Sequence, residues 1–294
     1  MNLPAYLADR RQMVDSALDR LLPPVTSTPG TLHEAIRYSM LAPGKRLRPI
    51  LVLAGAEAVG KSPESVIPTA CALECIHVFS LIHDDLPCMD NDDYRRGRLT
   101  NHKVYGEAMA MLAGDALLTL AFELVADNAA EIAPDRIVQA LKLISNATGT
   151  WGMVGGQVVD IESEGKQIGI DTLEYIHSHK TGALLTASSV SGALLSGATD
   201  EQIACLRSYG KSIGLAFQIA DDILDIVGDE QKIGKPVGSD EGNDKATYPK
   251  LFGLEESRQM AQTEVNNAVA ALDSFGEPAE PLRAIARYII ERDL

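Results

Sequence analysis

Apolar residues recur at three- and four-residue spacing along nearly all of this 294-residue chain, and strand-like alternation is nearly absent. A helix returns to the same face every 3.6 residues, so that pattern buries a stripe only if the chain is helical. The spacing predicts helices over roughly 3–21, 31–41, 46–59, 64–86, 103–127, 135–152, 171–196, 200–227, 255–274 and 281–292. Breakers separate them: LLPPVTSTPG at 21–30, APG at 42–44, EIAP at 131–134 and FGEPAEP at 275–281. No composition shift and no repeat divides the chain. The expectation is one all-α domain over 1–294, with ten or more helices.

Apolar residues make up 46% of the chain, which supplies a substantial core. The net charge of −15 argues against nucleic acid, which needs a basic face. An anionic substrate would have to be met by local basic clusters or bound metal. The run between Lys180 and Asp200 is uncharged but rich in Ser, Thr and Gly, too polar for a membrane span and suited to a buried helix with close neighbours. The first residues lack the basic-then-apolar order of a signal peptide, so the expected location is a reducing cytoplasm. Cys71 and Cys75 then read as buried core thiols rather than metal ligands.

Within this helical frame stands HDDLPCMDNDD, residues 83–93, with five aspartates. Crowded carboxylates repel one another and call for a cation. Asp84 and Asp90 are six residues apart, about 240° on a regular helix, so they cannot share a helical face. Pro87 disfavours helix at Leu86. Asp84 and Asp85 should therefore end a helix, and the chain should turn to bring Asp90 back. A second cluster, FQIADDILDIVGD at 217–229, puts Asp221 and Asp225 about 40° apart on one helical face. Like charges stacked at that spacing destabilise an ordinary surface helix. Hard oxygen donors without nearby thiolate or paired histidine point to Mg²⁺ rather than zinc. Mg²⁺ takes few protein ligands and completes its shell with phosphate, so two clusters suggest a phosphate-bearing substrate between them.

Basic residues flank both clusters: Lys45 and Arg48 in GKRLRP, Arg95, Arg96 and Arg98 in YRRGR, Lys180 beside Thr181, then Lys235 and Lys245. Their positions favour phosphate binding. No P-loop or dinucleotide fingerprint is present, since Gly44-Lys45 lacks the following Ser or Thr and Cys205 stands where Gly210-Lys211-Ser212 would need its first glycine. Gly149, Gly152, Gly155 and Gly156 read as helix-packing or bending positions.

Together GKRLRP (44–49), ECIHVFSLIHDDLPCMDNDDYRRGR (74–98), HKTGAL (179–184), FQIADDILDIVGD (217–229) and TYP (247–249) resemble the trans-isoprenyl diphosphate synthases, most closely the bacterial farnesyl diphosphate synthases. The resemblance implies helices around a deep central cavity, usually in a homodimer. It implies an allylic diphosphate (dimethylallyl, then geranyl) bound through Mg²⁺, three ions with Mn²⁺ as a substitute, to Asp84, Asp85, Asp90, Asp221, Asp222 and Asp225. Arg95, Lys180, Thr181, Gln218 and Lys235 would contact it directly. Isopentenyl diphosphate would bind without metal through Lys45, Arg48, His77 and Arg96, with Arg292 a weaker candidate for closing that side. The implied catalytic set is Asp84, Asp85, Asp90, Lys180 and Asp221. No nucleophilic side chain is expected, because the nucleophile is a C=C bond. Phe79 and Ser80 would set chain length. An aromatic at position 79 favours a C15 product by resemblance, although the helical wheel puts Ser80 more directly below Asp84, and a geranylgeranyl diphosphate synthase is the alternative.

Two departures stand out. Asn91 interrupts the acidic run where close relatives often carry aspartate, and Asp244 precedes Lys245 where the family often has glycine. Three rivals fit less well. A His-Asp phosphohydrolase needs more histidines than His77 and His83. A class I terpene cyclase does not need Lys45 and Arg48. A non-catalytic subunit would be expected to lose one acidic motif. His83 is expected to pack, and His77 to serve the site.

Overall fold

The computed structural model describes residues 1–227 and 246–291. Its elements are α1 (Leu3–Leu21), α2 (Gly30–Met40), α3 (Leu47–Ala58), α4 (Ile67–Asp84), a two-residue-stranded hairpin of β1 (Tyr94–Arg95) and β2 (Arg98–Leu99), α5 (Asn101–Tyr105), α6 (Glu107–Asp127), α7 (Pro134–Thr148), α8 (Met153–Ser163), α9 (Ile170–Ile176), α10 (Ala183–Leu195), α11 (Asp200–Val227), α12 (Tyr248–Phe252), α13 (Leu254–Ala270) and α14 (Glu280–Glu291). The fold is all-α, as the periodicity predicts.

Three departures from the predicted elements matter. The span 103–127 is split at Gly106, whose φ of 85° a helix cannot contain. The span 171–196 is interrupted by a π-helical turn, His177–Gly182, between α9 and α10. And α8 was not expected at all, because Gly152, Gly155 and Gly156 weaken its sequence signal. The glycines serve close approach instead. A Cβ at Gly156 would lie 2.2 Å from the backbone N of Lys180, inside the π turn.

Two apolar cores share α3 and α10. One gathers Leu18, Met40, Leu73, Ile76, Leu117 and Ile144; the other gathers Ile50, Leu206, Tyr209, Ile213 and Ile285. The Ser-rich α10 lies between them and is almost wholly buried. Its hydroxyls turn back on their own helix: Ser188 Oγ donates to the Leu184 carbonyl at 2.7 Å and Ser189 Oγ to that of Leu185 at 3.0 Å. Small residues let α3 come close, since a Cβ at Gly192 would sit 1.8 Å from the Val52 carbonyl oxygen. Two stretches, 63–84 and 107–130, are long and apolar enough to cross a membrane by length and composition. The first is 67% buried inside the fold, whereas the second, which contains α6, is only 39% buried.

Candidate active site

The first acidic motif is shaped by the end of α4. Asp84 is its last residue, and beyond it the Leu86 N–H donates to the His83 carbonyl at 3.1 Å. The chain then doubles back: the Asp90 N–H donates to the Asp84 carbonyl at 2.8 Å and the Asn91 N–H to that of Leu86 at 3.1 Å. Asn91 adopts φ 54°, a left-handed conformation that asparagine tolerates well. Pro87 and Asn91 thus make the turn that returns Asp90 to Asp84.

The hairpin that follows sends two adjacent arginines to different places. Arg96 and Gly97 form its two-residue loop with φ of 53° and 74°, and Arg95 pairs in register with Arg98. Arg95 Nε lies 2.7 Å from Asp85 Oδ1, in the acidic motif. Arg96 Nη1 instead donates to the Pro43 carbonyl at 3.0 Å, in the loop before α3. A Cβ at Gly44 would come within 2.6 Å of that same Nη1, so a side chain there would displace the guanidinium.

Around Arg96 is a group of cations with too little countercharge. Burial pushes the Arg48 guanidinium down to about 10; Glu74 opposes the shift and Arg96 adds to it. Burial holds His77 well below its ordinary range, helped by Arg48 and Arg96. Burial likewise lowers Arg96, against the pull of Glu74. Among the described residues, Arg48 Nε is buried without a hydrogen-bond partner. An unpartnered buried guanidinium edge is costly, and an anion such as a diphosphate satisfies it. Lys45 is exposed on the adjoining loop and borders an apolar cleft against α1 and α14.

Lys180 connects the two acidic motifs. It lies in the π turn, where an extra residue per turn re-aims side chains, a common device at functional sites. Its Nζ donates to Asp160 Oδ2 at 2.6 Å. Burial works against its charge, but Asp160, Asp84 and Asp90 together raise the ammonium above its usual range. Lys180, Thr181, Gln218, Asp222 and Asp160 line one cleft with Thr247. On α11, Asp222 and Asp225 are buried and Asp221 is half-buried. One oxygen of Asp222 accepts the Tyr248 N–H at 2.9 Å, which ties the second motif to the TYP segment.

The donor set fits a hard divalent cation. Burial raises both Asp84 and Asp85 to about 6; Asp90 adds to the first shift and Arg95 opposes the second. Desolvated, mutually repelling carboxylates are stabilised by a cation. No cluster of three or more ligands closes into a cage among the described residues. Mg²⁺ needs only one or two carboxylates, since water and phosphate oxygens complete its shell.

Phe79 and Ser80 lie on different sides of α4. The Phe79 ring packs edge-on against His83, centroids 5.0 Å apart, and is 8% exposed. His83 Nε2 lies 3.0 Å from the Met111 carbonyl of α6. Phe79 therefore leans towards α6, while Ser80 shares a face with Asp84. His83 is a packing residue. Cys71 and Cys75 are buried free thiols. Asp229, Lys235, Asp244, Lys245 and Arg292 lie outside the described residues.

Sequence reasoning missed Asp160 and Glu74. Asp160 was hidden with its helix. Glu74 stands three residues before His77 in an apolar helix, a buried-charge signal that could have been followed.

An all-α fold that carries two aspartate motifs beside a group of buried arginines suits an enzyme that handles diphosphates. Residues 29–280 match the polyprenyl synthetase family, and the chain belongs to it. It is 52% identical over 292 residues to a dimethylallyltranstransferase of Fischerella ambigua (strain UTEX 1903), covering 99% of this chain and 84% of that protein. It is 48% identical to a geranylgeranyl diphosphate synthase of Cyanophora paradoxa, covering 99% and 97%. Among solved structures, an FPP/GFPP synthase from Zymomonas mobilis superposes with a TM-score of 0.88 at 39% identity, over 98% of this chain and 99% of that one. The protein is a trans-prenyltransferase that belongs with the isoprenoid synthase structures.

Proposed function

We propose that the protein condenses isopentenyl diphosphate head-to-tail with dimethylallyl and then geranyl diphosphate, giving (2E,6E)-farnesyl diphosphate and diphosphate. The observation that carries this reading is the pairing of two unlike anion sites. One is acidic and suited to a metal-borne diphosphate, around Asp84, Asp85, Asp90 and the α11 aspartates. The other is cationic and needs no metal, around Arg48, His77 and Arg96. A cyclase needs only the first.

Asp84, Asp85, Asp90, Asp221, Asp222 and Asp225 would hold Mg²⁺, which would supply positive charge to the leaving diphosphate. Lys180 and Arg95 are preorganised cations beside it, and negative charge growing on the departing oxygens is stabilised by such groups. Arg48, His77 and Arg96 fix the second diphosphate so that its double bond faces the allylic carbon. The apolar helix faces exclude water from the carbocation. The released diphosphate takes the final proton.

The C15 product rests on the aromatic Phe79 and the seven-residue Asp84–Asp90 motif. A C20 product is the second reading. It is favoured by Ser80 lying below Asp84 while Phe79 leans aside, and by relatives named geranylgeranyl synthases. The protein is further proposed to act as a cytoplasmic homodimer. The test is incubation with Mg²⁺, labelled isopentenyl diphosphate and dimethylallyl diphosphate, followed by chromatography. A C15 product is expected; a C20 product selects the second reading, and no condensation rejects both. Asp84→Ala and Asp221→Ala should each nearly abolish turnover, and near-wild-type activity in either sinks the metal-clamp model.

A further inference from the structure

Arg46 is 4% exposed, adopts φ 51°, and has no role in the reading above. A left-handed conformation is unfavourable for arginine and persists where surrounding contacts over-determine it. Those contacts are present. Arg46 Nη1 lies 2.8 Å from Glu74 Oε1 on α4, and Nε lies 2.8 Å from Asp15 Oδ1 on α1. Nη2 donates to the carbonyls of Met40 and Ala42, at 2.8 and 3.0 Å. One guanidinium therefore joins α1, the end of α2, the 41–46 loop and α4.

Each of these attachments bears on the cationic half-site. The 41–46 loop carries Lys45 and the Pro43 carbonyl that anchors Arg96. Arg46 immediately precedes α3, which begins at Leu47 and carries Arg48. Glu74 is 1% exposed and stands one helical turn before His77. Its charge also acts on Arg48 and Arg96. A buried pair of this kind adds little net stability over an apolar replacement, but removing one partner strands the charge of the other.

We propose that Arg46, clamped by Glu74 and Asp15, is a positioning residue for the isopentenyl diphosphate half-site. It touches no substrate. It sets the loop and helix start from which Lys45, Arg48 and Arg96 reach the diphosphate. The proposal rests on the reading of that half-site given above.

The test compares Arg46→Met, Arg46→Lys, Asp15→Asn and Arg48→Gln with wild type, by steady-state kinetics in each substrate and circular dichroism. Arg46→Met should raise the isopentenyl diphosphate KM about tenfold or more, with the allylic KM little changed. Arg46→Lys should recover part of the loss. Asp15→Asn, which removes the charge of a half-exposed partner but keeps an acceptor, should raise the same KM about threefold. If Arg46→Met does not fold, Arg46→Lys and Asp15→Asn decide. An unchanged isopentenyl diphosphate KM in these folded variants overturns the proposal, as does an equal rise in both KM values. If Arg48→Gln also leaves that KM unchanged, the half-site reading itself fails. If only Arg48→Gln raises it, the half-site stands and the Arg46 proposal alone falls.

Discussion

Lys180 can stabilise a leaving diphosphate only while its ammonium stays charged and aimed, and Asp160 provides for both at 2.6 Å. Replacing Asp160 by Asn leaves a hydrogen-bond partner but removes the countercharge, so burial then pulls Lys180 downward. The expected outcome is a fall in kcat of about tenfold to a hundredfold at saturating substrates, with an alkaline limb moved to lower pH. A pH–rate profile checks it. His177 gives a stability prediction. It stacks on Tyr248, and burial pushes it down to about 4, with Asp160 opposing and Lys180 assisting. The unfolded chain protonates near 6.5, so His177 contributes stability that is present above that pH and lost as pH falls towards 4. Asp84 and Asp85, raised to about 6, act in the opposite sense over the same window. The difference between variant and wild type is therefore the measurement. Metal-free His177→Phe should show a smaller loss of Tm than wild type between pH 6.5 and 4.5. At this scale the sequence was informative where spacing forces geometry, as with Asp84, Pro87 and Asp90. It was silent on Asp160, whose meaning depends on a partner twenty residues away.

The π turn is the decisive element. Helical periodicity joins 171–196 into one helix, and nothing in HSHKTG marks the extra residue that aims Lys180 into the cleft. Glycines from neighbouring helices make room for it: Gly156 of α8 approaches Lys180, and a Cβ at Gly214 of α11 would lie 2.8 Å from the Gly182 Cα. Two substitutions separate packing from function. Gly192→Ala, which meets the Val52 carbonyl at 1.8 Å, should cost about 1–3 kcal/mol of stability by urea denaturation, with both KM values kept in the folded enzyme. Gly156→Ala pushes on the π turn itself, so its main effect should be on kcat. The hairpin is another element that sequence reading left out. Its Arg96-Gly97 loop takes left-handed backbone at both positions, and this sends Arg95 and Arg96 in different directions.

For the whole molecule, the exposed side of α6 is the feature to account for. Val104 just before it, with Met111 and Leu112 on it, are exposed, and the 107–130 stretch is far less buried than the comparably apolar 63–84. Exposed apolar side chains grouped there suit a protein contact, and a second copy of the chain is the proposed occupant. Sedimentation should give a dimer, and Leu112→Glu should shift it towards monomer. A wild-type monomer at micromolar concentration would refute this. Product length also belongs at this scale, because it depends on the whole cavity. Phe79→Ala should lengthen the product to C20 or beyond by chromatography, and unchanged C15 output removes Phe79 as the ruler.

The sequence by itself determined the helical class, most helix limits and both aspartate motifs. Each follows from local rules: a 3.6-residue repeat, a proline that breaks a ladder, like charges that need a cation. The resemblance assigns Arg95 and Arg96 to different diphosphates, but only the tertiary structure showed how neighbouring arginines come to point to different places. Arg95 and Arg96 are neighbours in the chain, yet one meets Asp85 and the other the loop before α3. Tertiary structure alone also revealed the charges that support the site, Asp160, Glu74 and Arg46. Their effect comes from ion pairs across 20 to 31 residues of chain, closed at low dielectric between helices that a linear reading cannot bring together.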